Sequence, residues 1–279
     1  MNELDLDVVG HWTEIKLQII RDYSREYAKI LDKQQVIKYF GFIDGFAGAG
    51  QHISKTTGEI IDGSPAVVLK IQPQFSHYHF IDLDGKRSEM LRQLSAGRSN
   101  VSVYHGDCNK ILLEEIFPKF QYKDYRRALC LLDPYKLDPN WEVVKTAGNM
   151  RSIELFINFM IMDAKLNVLL NNPEKAQSSQ IERMNTFWGD ESWRQVSYTK
   201  QKGLFGDMEE KVPDQEIAAA YQKRLKEIGG FKYAPEPIPM CSSKGVVIYY
   251  LFFASNNQTG EKIVKAIFNK YRKGKRYGH

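Results

Sequence analysis

The residues best suited to chemistry in this 279-residue chain are carboxylates that end apolar segments. The first such segment reads FIDGFAGAG, in which Asp44 is followed by Gly45, Phe46, Gly48 and Gly50. Glycines at the carboxyl end of a strand let the backbone turn tightly and let a ligand approach closely, in the crevice where open parallel sheets bind ligands. The loop predicts a site for a nucleotide-like cofactor; the alternative is a tight turn of any α/β protein.

Asp44 narrows the choice of cofactor. A carboxylate inside the loop would repel a pyrophosphate but suits a cationic ligand such as S-adenosylmethionine. The sequence also contains no GxxxxGK[ST] motif, which disfavours an ATP or GTP phosphate site. We therefore expect S-adenosylmethionine as the cofactor.

Two further segment ends supply candidate contacts to such a cofactor. Asp82, in HFIDLD, can accept two hydrogen bonds from ribose hydroxyls, and we prefer it to Asp84. The alternative is that both carboxylates end a strand or cap the helix that follows. Asp107, in YHGDCN, can bind the exocyclic amine of adenine, with Cys108 lining the site rather than acting as a nucleophile.

The fourth segment ends LLDPY and predicts the catalytic residues. The Asp133 carboxylate and a main-chain carbonyl beside Pro134, which has no N–H of its own, can both accept hydrogen bonds from an exocyclic amine. Tyr135 could then stack on the base and hold it against a methyl donor. The alternative is an ordinary Asp-Pro turn with a buried tyrosine.

The elements that position these residues alternate between strand and helix. Helical patterns separate short apolar segments, which predicts an α/β protein with a Rossmann-like, mostly parallel sheet. Residues 1–162 would form an N-terminal helix and the cofactor-binding core. Residues 163–243, which lack the strand rhythm, would form a helical insertion or lid. Residues 244–279 would add a late strand and a basic helix to the core.

Composition and charge limit the classes of protein. With 43% hydrophobic and 26% charged residues and no apolar segment near the roughly 20 residues of a membrane span, we expect a soluble protein without a membrane partner. The acidic N-terminus predicts no secretory signal, and three widely spaced cysteines fit no paired metal motif, so the cytoplasm is expected and no metal is required.

A basic C-terminal segment raises the question of nucleic-acid binding. The net charge is +5, and seven cations cluster near the end of the chain: Lys262, Lys265, Lys270, Arg272, Lys273, Lys275 and Arg276. They could contact phosphates, or they could be the solvated end of a helix whose dipole favours positive charge.

The motifs resemble those of class I, Rossmann-like S-adenosylmethionine-dependent methyltransferases that act on nucleic acids. DGFAGAG is similar to their glycine loop, and DPY is similar to the motif of enzymes that methylate exocyclic amines, although one proline stands where two are common. Over almost its whole length the chain resembles the three-Cys-motif partner (TcmP) family, on EIKLQIIRDY, FIDGFAGAG, LLDPY, MNTFWG and YYLFFASNNQTG. That resemblance implies a cysteine-motif protein encoded nearby as a partner.

Three hypotheses follow. The first is an S-adenosylmethionine-dependent methyltransferase acting on a nucleobase amine in RNA or DNA. In the second, the acceptor is a small molecule or peptide, and the insertion closes over it. In the third, the protein is a non-catalytic partner of the cysteine-motif protein.

Overall fold

The computed structural model describes the backbone of residues 6–203 and 206–274, and the side chains of residues 6–199 and 210–272. Within these ranges no helix combines the length and apolar character needed to cross a bilayer.

A seven-stranded sheet forms the centre of the protein. Its strands are β2 (Tyr39–Asp44), β5 (His77–Asp82), β6 (Val101–His105), β7 (Arg126–Leu132), β8 (Ile153–Phe159), β11 (Ile238–Cys241) and β12 (Val247–Ala254). Their order across the sheet is β11-β12-β8-β7-β2-β5-β6. The strands from β8 to β6 are parallel, whereas β12 is antiparallel to both β8 and β11. The predicted fold class, a Rossmann-like, mostly parallel α/β sheet, is confirmed.

Helices cover both faces of the sheet, and each face buries its own apolar core. One core takes side chains from α1 (His11–Asp32), α2 (Ser64–Leu69), α3 (Gly85–Leu94) and α10 (Gln258–Gly274). The other takes side chains from α4 (Cys108–Ile111), α5 (Trp141–Met150), α6 (Ile161–Asn167), α7 (Ser178–Trp188), α8 (Trp193–Ser197) and α9 (Asp214–Glu227). A sheet buried on both faces explains why its central strands are almost continuously apolar.

Strand β2 lies where the winding of the sheet changes direction. The chain runs from β2 outward to β5 and β6, and then returns to the other side of β2 to form β7 and β8. Such a switch point leaves a crevice at the carboxyl ends of the strands, which is where open α/β sheets bind ligands. The segments FIDGFAGAG and LLDPY therefore meet at the same edge.

A small second sheet includes two strands from the segment 51–63, which follows the glycine loop. It contains β1 (Val8–Val9), β3 (Gln51–Ser54) and β4 (Ile60–Asp62), in the order β1-β3-β4. Because β1 pairs with β3, the N-terminal segment is tied to the chain that follows the glycine loop. Strands β3 and β4 lie between the glycine loop and α2, so α2 begins only at Ser64.

The insertion differs from the expectation in two respects. It includes a hairpin of β9 (Tyr198–Gly203) and β10 (Gly206–Lys211), so it is not wholly helical. Strand β11 also falls inside the range 163–243 but belongs to the main sheet. Pro239 lies within β11, which is an edge strand, where proline is tolerated.

Candidate active site

The glycine loop uses its own amides to hold itself in place. Four successive amides donate to protein acceptors: Gly45 N to Leu131 O (2.9 Å), Phe46 N to Asp44 Oδ1 (3.1 Å), Ala47 N to Ile81 O (2.9 Å) and Gly48 N to Asp82 Oδ2 (2.8 Å). A phosphate-binding loop needs free amides and a helix that begins directly behind it. Here the amides are already paired and the next helix is delayed to residue 64, so the loop is not built for a phosphate.

Asp44 lies behind the loop rather than in a cavity wall. Its side chain is fully buried and accepts hydrogen bonds from the Phe46 amide and the Ser64 hydroxyl, the latter at 2.6 Å. Burial raises the pKa of Asp44 to about 7, with the nearby Asp133 carboxylate as a smaller cause. The Ser64 hydroxyl binds this carboxyl, and Gly63 is the N-cap of α2.

A large cavity of about 740 Å³ opens at the carboxyl edge of the sheet. It is lined by six residues expected to bind the cofactor and by Tyr135: Gly45, Phe46, Gly48, Asp82, Asp107, Cys108 and Tyr135. Its volume lies within the range of about 300–1,000 Å³ found for small-molecule sites. Gly50 and Asp44 are not in its wall. At Gly50 a Cβ would lie 2.5 Å from the Leu94 side chain, so this glycine serves the packing of the loop.

The charges around the large cavity favour a ligand without phosphates. Four carboxylates (Asp82, Asp107, Asp138 and Glu182) and three cations (Arg87, Lys136 and Arg183) line it. Two of these cations are already paired, since Arg87 Nη2 lies 2.9 Å from Asp7 Oδ1 and Arg183 Nη2 lies 2.8 Å from Asp163 Oδ2. The lining therefore suits a cationic or zwitterionic ligand better than a dinucleotide.

The two expected cofactor carboxylates differ in their surroundings. Asp82 is buried and also accepts from the Asp84 amide at 2.8 Å, whereas Asp84 caps α3 through the Lys86 and Arg87 amides. The structure thus separates a cavity residue, Asp82, from a capping residue, Asp84. Asp107 is exposed and accepts from the Asn109 amide at 2.8 Å. Burial raises the pKa of the Cys108 thiol, which fits a lining residue and not a nucleophile.

A small cavity of about 100 Å³ adjoins the large one. Asp133 and Pro134 line it together with Lys16 of α1, His52 of β3, Ser64 and Tyr249 of β12. Phe46, Gly48 and Tyr135 line both cavities. The three residues expected to be catalytic therefore lie together, next to the loop expected to hold a cofactor.

Asp133 is held from two sides. The Lys16 ammonium donates to one carboxylate oxygen, and the Asn158 amide donates to the other. The side chains of Lys16 and Asp133 are 7% and 18% exposed, so the ion pair is largely removed from solvent. A carboxylate offers about four lone-pair positions. Asp133 can therefore still accept hydrogen bonds from a ligand amine.

Tyr135 stands between the cavities and is held by the N-terminal segment. It is 60% exposed, and its hydroxyl donates to Asp7 Oδ2 at 2.7 Å. The other oxygen of Asp7 accepts from Arg87, whose guanidinium lies 5.9 Å from the centre of the Tyr135 ring. Asp7 thus connects the start of α3, beside Asp82, with the tyrosine of the DPY segment.

Among the described residues of the insertion, several line the large cavity and none lines the small one. Four residues of α7 line the large cavity: Ser179, Glu182, Arg183 and Thr186. The aromatic residues that could have stacked bases, Trp188 and Trp193 among them, are buried in the core beneath. These aromatic side chains therefore pack in the core and are not available to stack on a base.

The cations of α10 are partly used within the protein. Lys265 pairs with Glu261, Lys270 with Asp22 and Arg272 with Glu236. The side chains of Lys273, Lys275 and Arg276 lie outside the described residues, so nucleic-acid binding by this segment stays a prediction.

Several residues of the site were not predicted from the sequence. Asp7, Lys16, His52, Arg87 and Tyr249 reach the site from the N-terminal segment, α1, β3, α3 and β12. Lysine at position 16 follows the polar pattern of an amphipathic helix, and Tyr249 follows the apolar pattern of a strand. No local signal therefore distinguishes them.

Comparison with known proteins supports the fold. A Legionella pneumophila protein of the family described as DUF519 is 12% identical, with 91% of each chain covered and a TM-score of 0.50. The plantazolicin methyltransferase BpumL in complex with SAH (10% identity; 88% of this chain and 86% of that chain covered) has a TM-score of 0.36, too low to carry an argument. No family model and no curated protein matches the chain, so membership of the three-Cys-motif partner family stays a prediction.

Proposed function

We propose that the protein is an S-adenosylmethionine-dependent methyltransferase whose cofactor binds in the large cavity and whose acceptor, an exocyclic amine of a nucleobase, binds in the small cavity. The observation that carries this proposal is that the two cavities share Phe46, Gly48 and Tyr135 as walls. A donor in one cavity and an acceptor in the other would therefore be neighbours.

The residues of the large cavity fit the cofactor. Asp82 retains lone pairs for the ribose hydroxyls, and Asp107 lies at the next strand end, where it can bind the adenine amine. Gly48 has a φ of 62°, and a Cβ there would meet no atom within 4 Å, so its surface is open to a ligand. Because the amides of the glycine loop already donate within the protein, they favour a ligand that does not need hydrogen bonds from them.

The residues of the small cavity fit an amine acceptor. The Asp133 carboxylate and the main-chain carbonyl beside Pro134 would accept the amine hydrogens, and Asp133 would take up the proton that the nitrogen loses on methylation. Lys16 and Asn158 hold the carboxylate in position for this task. The cofactor, when bound, supplies an electrophilic methyl group with a good leaving group, so alignment is the main contribution of the protein.

A small-molecule or peptide acceptor is the second candidate. It is favoured by the enclosure of the small cavity, to which α1 and β3 contribute walls and which measures about 100 Å³. The third candidate, a non-catalytic partner protein, requires that neither cavity be used. Salt distinguishes the first two, because binding of a nucleic acid weakens steeply with ionic strength.

Transfer of a labelled methyl group tests the proposal. Purified protein is incubated with labelled S-adenosylmethionine and, separately, with tRNA, rRNA, DNA and a small-molecule cell extract. We expect labelling of a nucleic acid that disappears in Asp133→Asn and weakens with salt. Labelling confined to the extract would support the second candidate. Absence of S-adenosylhomocysteine binding in a calorimetric titration would refute both enzyme hypotheses.

A further inference from the structure

The small cavity is bordered by two polar atoms that have no partner. The Tyr249 hydroxyl on β12 and His52 Nδ1 on β3 are both buried, and neither has a hydrogen-bond partner among the residues that the structure describes. Tyr249 is only 4% exposed. More than about 90% of buried polar groups in proteins are hydrogen-bonded, so an unpartnered one requires an explanation. Two of them on one cavity indicate a ligand that supplies the missing partners.

On the basis of the proposed function, we infer that Tyr249 and His52 are specificity-determining residues that recognise the edge of an amino-substituted nitrogen heterocycle, an aminopurine or aminopyrimidine, whose amine binds Asp133. In these bases a ring nitrogen lies next to the exocyclic amine. Asp133 would bind the amine, and the Tyr249 hydroxyl would donate to the ring nitrogen. His52, which lines the same cavity, would bind a further edge group.

The charge state of both groups supports this assignment. Burial, with the Asp133 carboxylate as a further cause, raises the pKa of Tyr249 well above its ordinary value, so the hydroxyl keeps its proton. Burial and the Lys16 ammonium lower the pKa of His52, so its imidazole is neutral at pH 7. A neutral hydroxyl and a neutral imidazole bind the uncharged polar edge of a base better than a phosphate.

A simple packing role makes a different prediction for Tyr249. An unpartnered buried hydroxyl destabilises the free protein, so Tyr249→Phe should leave stability unchanged or raise it under either explanation. Only the recognition role predicts that the same variant also weakens acceptor binding. The combination of retained stability with weaker binding therefore separates recognition from packing.

The test uses the full chain saturated with S-adenosylhomocysteine and titrated calorimetrically with adenosine, cytidine, guanosine and a mixed-sequence single-stranded RNA. The variants are Tyr249→Phe, His52→Phe and the matched control Tyr125→Phe, whose side chain is exposed and outside both cavities. We expect at least one probe to bind the parent protein. Tyr249→Phe and His52→Phe should each lower the affinity for that probe about fivefold to tenfold. The control should bind normally, and all three variants should keep their affinity for S-adenosylhomocysteine.

Each remaining outcome is decisive. Equal binding of the probe by Tyr249→Phe, His52→Phe and the parent protein would overturn the inference but leave the proposed function intact. Binding of S-adenosylhomocysteine with no binding of any nucleoside or RNA would exclude a heterocyclic base as the acceptor. Loss of S-adenosylhomocysteine binding by the parent protein would instead refute the proposed function itself.

Discussion

The Lys16 ammonium on α1 donates a hydrogen bond to the Asp133 carboxylate at the end of β7, 117 positions further along the chain. The pair joins the N-terminal helix to the residue proposed to bind the acceptor amine. Removing one member of such a buried pair leaves an unpaired charge, which costs more than the pair itself contributes.

Lys16→Met should therefore lower both stability and methyl transfer. We expect the free energy of unfolding to fall by about 3 kcal/mol, because the Asp133 carboxylate keeps Asn158 as a partner but loses its cation. Urea unfolding measures this change. The double variant Lys16→Met, Asp133→Leu should recover stability relative to Lys16→Met but remain inactive.

Lys29→Met is the matched control for Lys16. It removes a lysine of the same helix whose ion pair with Glu26 is exposed, and such pairs contribute little. Full stability and activity in Lys16→Met would show that the ion pair between Lys16 and Asp133 contributes neither to stability nor to methyl transfer.

Asp82→Asn should weaken binding of S-adenosylhomocysteine about tenfold or more, because Asp82 would lose its charge towards the ribose hydroxyls. Asp84→Asn should leave affinity nearly unchanged, since Asp84 caps α3 and does not line the large cavity. Calorimetric titration of both variants compares neighbouring carboxylates of the same strand end. Weaker binding in Asp84→Asn than in Asp82→Asn would reverse the assignment.

Asp7→Ala should remove the hydrogen bonds that Asp7 accepts from Tyr135 and Arg87. We expect KM for the acceptor to rise several-fold, since the tyrosine between the cavities loses the partner of its hydroxyl, while affinity for S-adenosylhomocysteine stays within about twofold. Steady-state kinetics measure the first quantity and titration the second. Asp62→Ala is the control, because it removes a solvent-accessible ion pair between Asp62, at the end of β4, and Lys70, which follows α2. An unchanged KM in Asp7→Ala would exclude a positioning role for the N-terminal segment.

We expect the stability of the protein to depend on pH through the titration of Glu154. This residue is fully buried at the opposite edge of the sheet, beside a separate cavity of about 280 Å³, and burial raises its pKa to about 7. Because the folded pKa is above the unfolded one, the stabilisation from the protonated form is complete below about pH 4.5 and is lost as pH rises through 7. This group alone should lower the free energy of unfolding by about 3 kcal/mol across that window.

Glu154→Gln isolates the contribution of Glu154 from those of the other titrating groups. As pH rises from 5 to 8, the parent protein should lose about 3 kcal/mol of unfolding free energy that Glu154→Gln does not lose. The variant therefore becomes more stable relative to the parent protein by that amount. A difference that does not change with pH would show that Glu154 is already ionised at pH 5.

The sequence predicted the backbone of the site better than its side-chain partners. The apolar segments ending at Asp44, Asp82 and Asp133 gave the parallel strands correctly, because a strand buried on both faces has a distinctive local pattern. Strand β11 was missed because proline at position 239 carries the signal of a connector. Contacts such as Lys16 with Asp133 were not predictable, because they depend on how distant elements pack together.

The position of Asp44 could not be predicted from its motif. A carboxylate in the glycine loop was expected to face a cationic ligand, but its oxygens are used by Ser64 and the Phe46 amide behind the loop. The delayed helix brings Ser64 to this place, and nothing in the local sequence indicated that contact. Asp82 and Asp107, in contrast, line the large cavity, and their role in cofactor binding stays a prediction.

The most direct test of the account is a crystal structure of the protein with S-adenosylhomocysteine. We expect the adenosine part near Asp82 and Asp107 and the sulfur atom beside Gly45 and Phe46, facing Tyr135 and the small cavity. A ligand bound elsewhere, or bound with its sulfur directed away from Asp133, would contradict it.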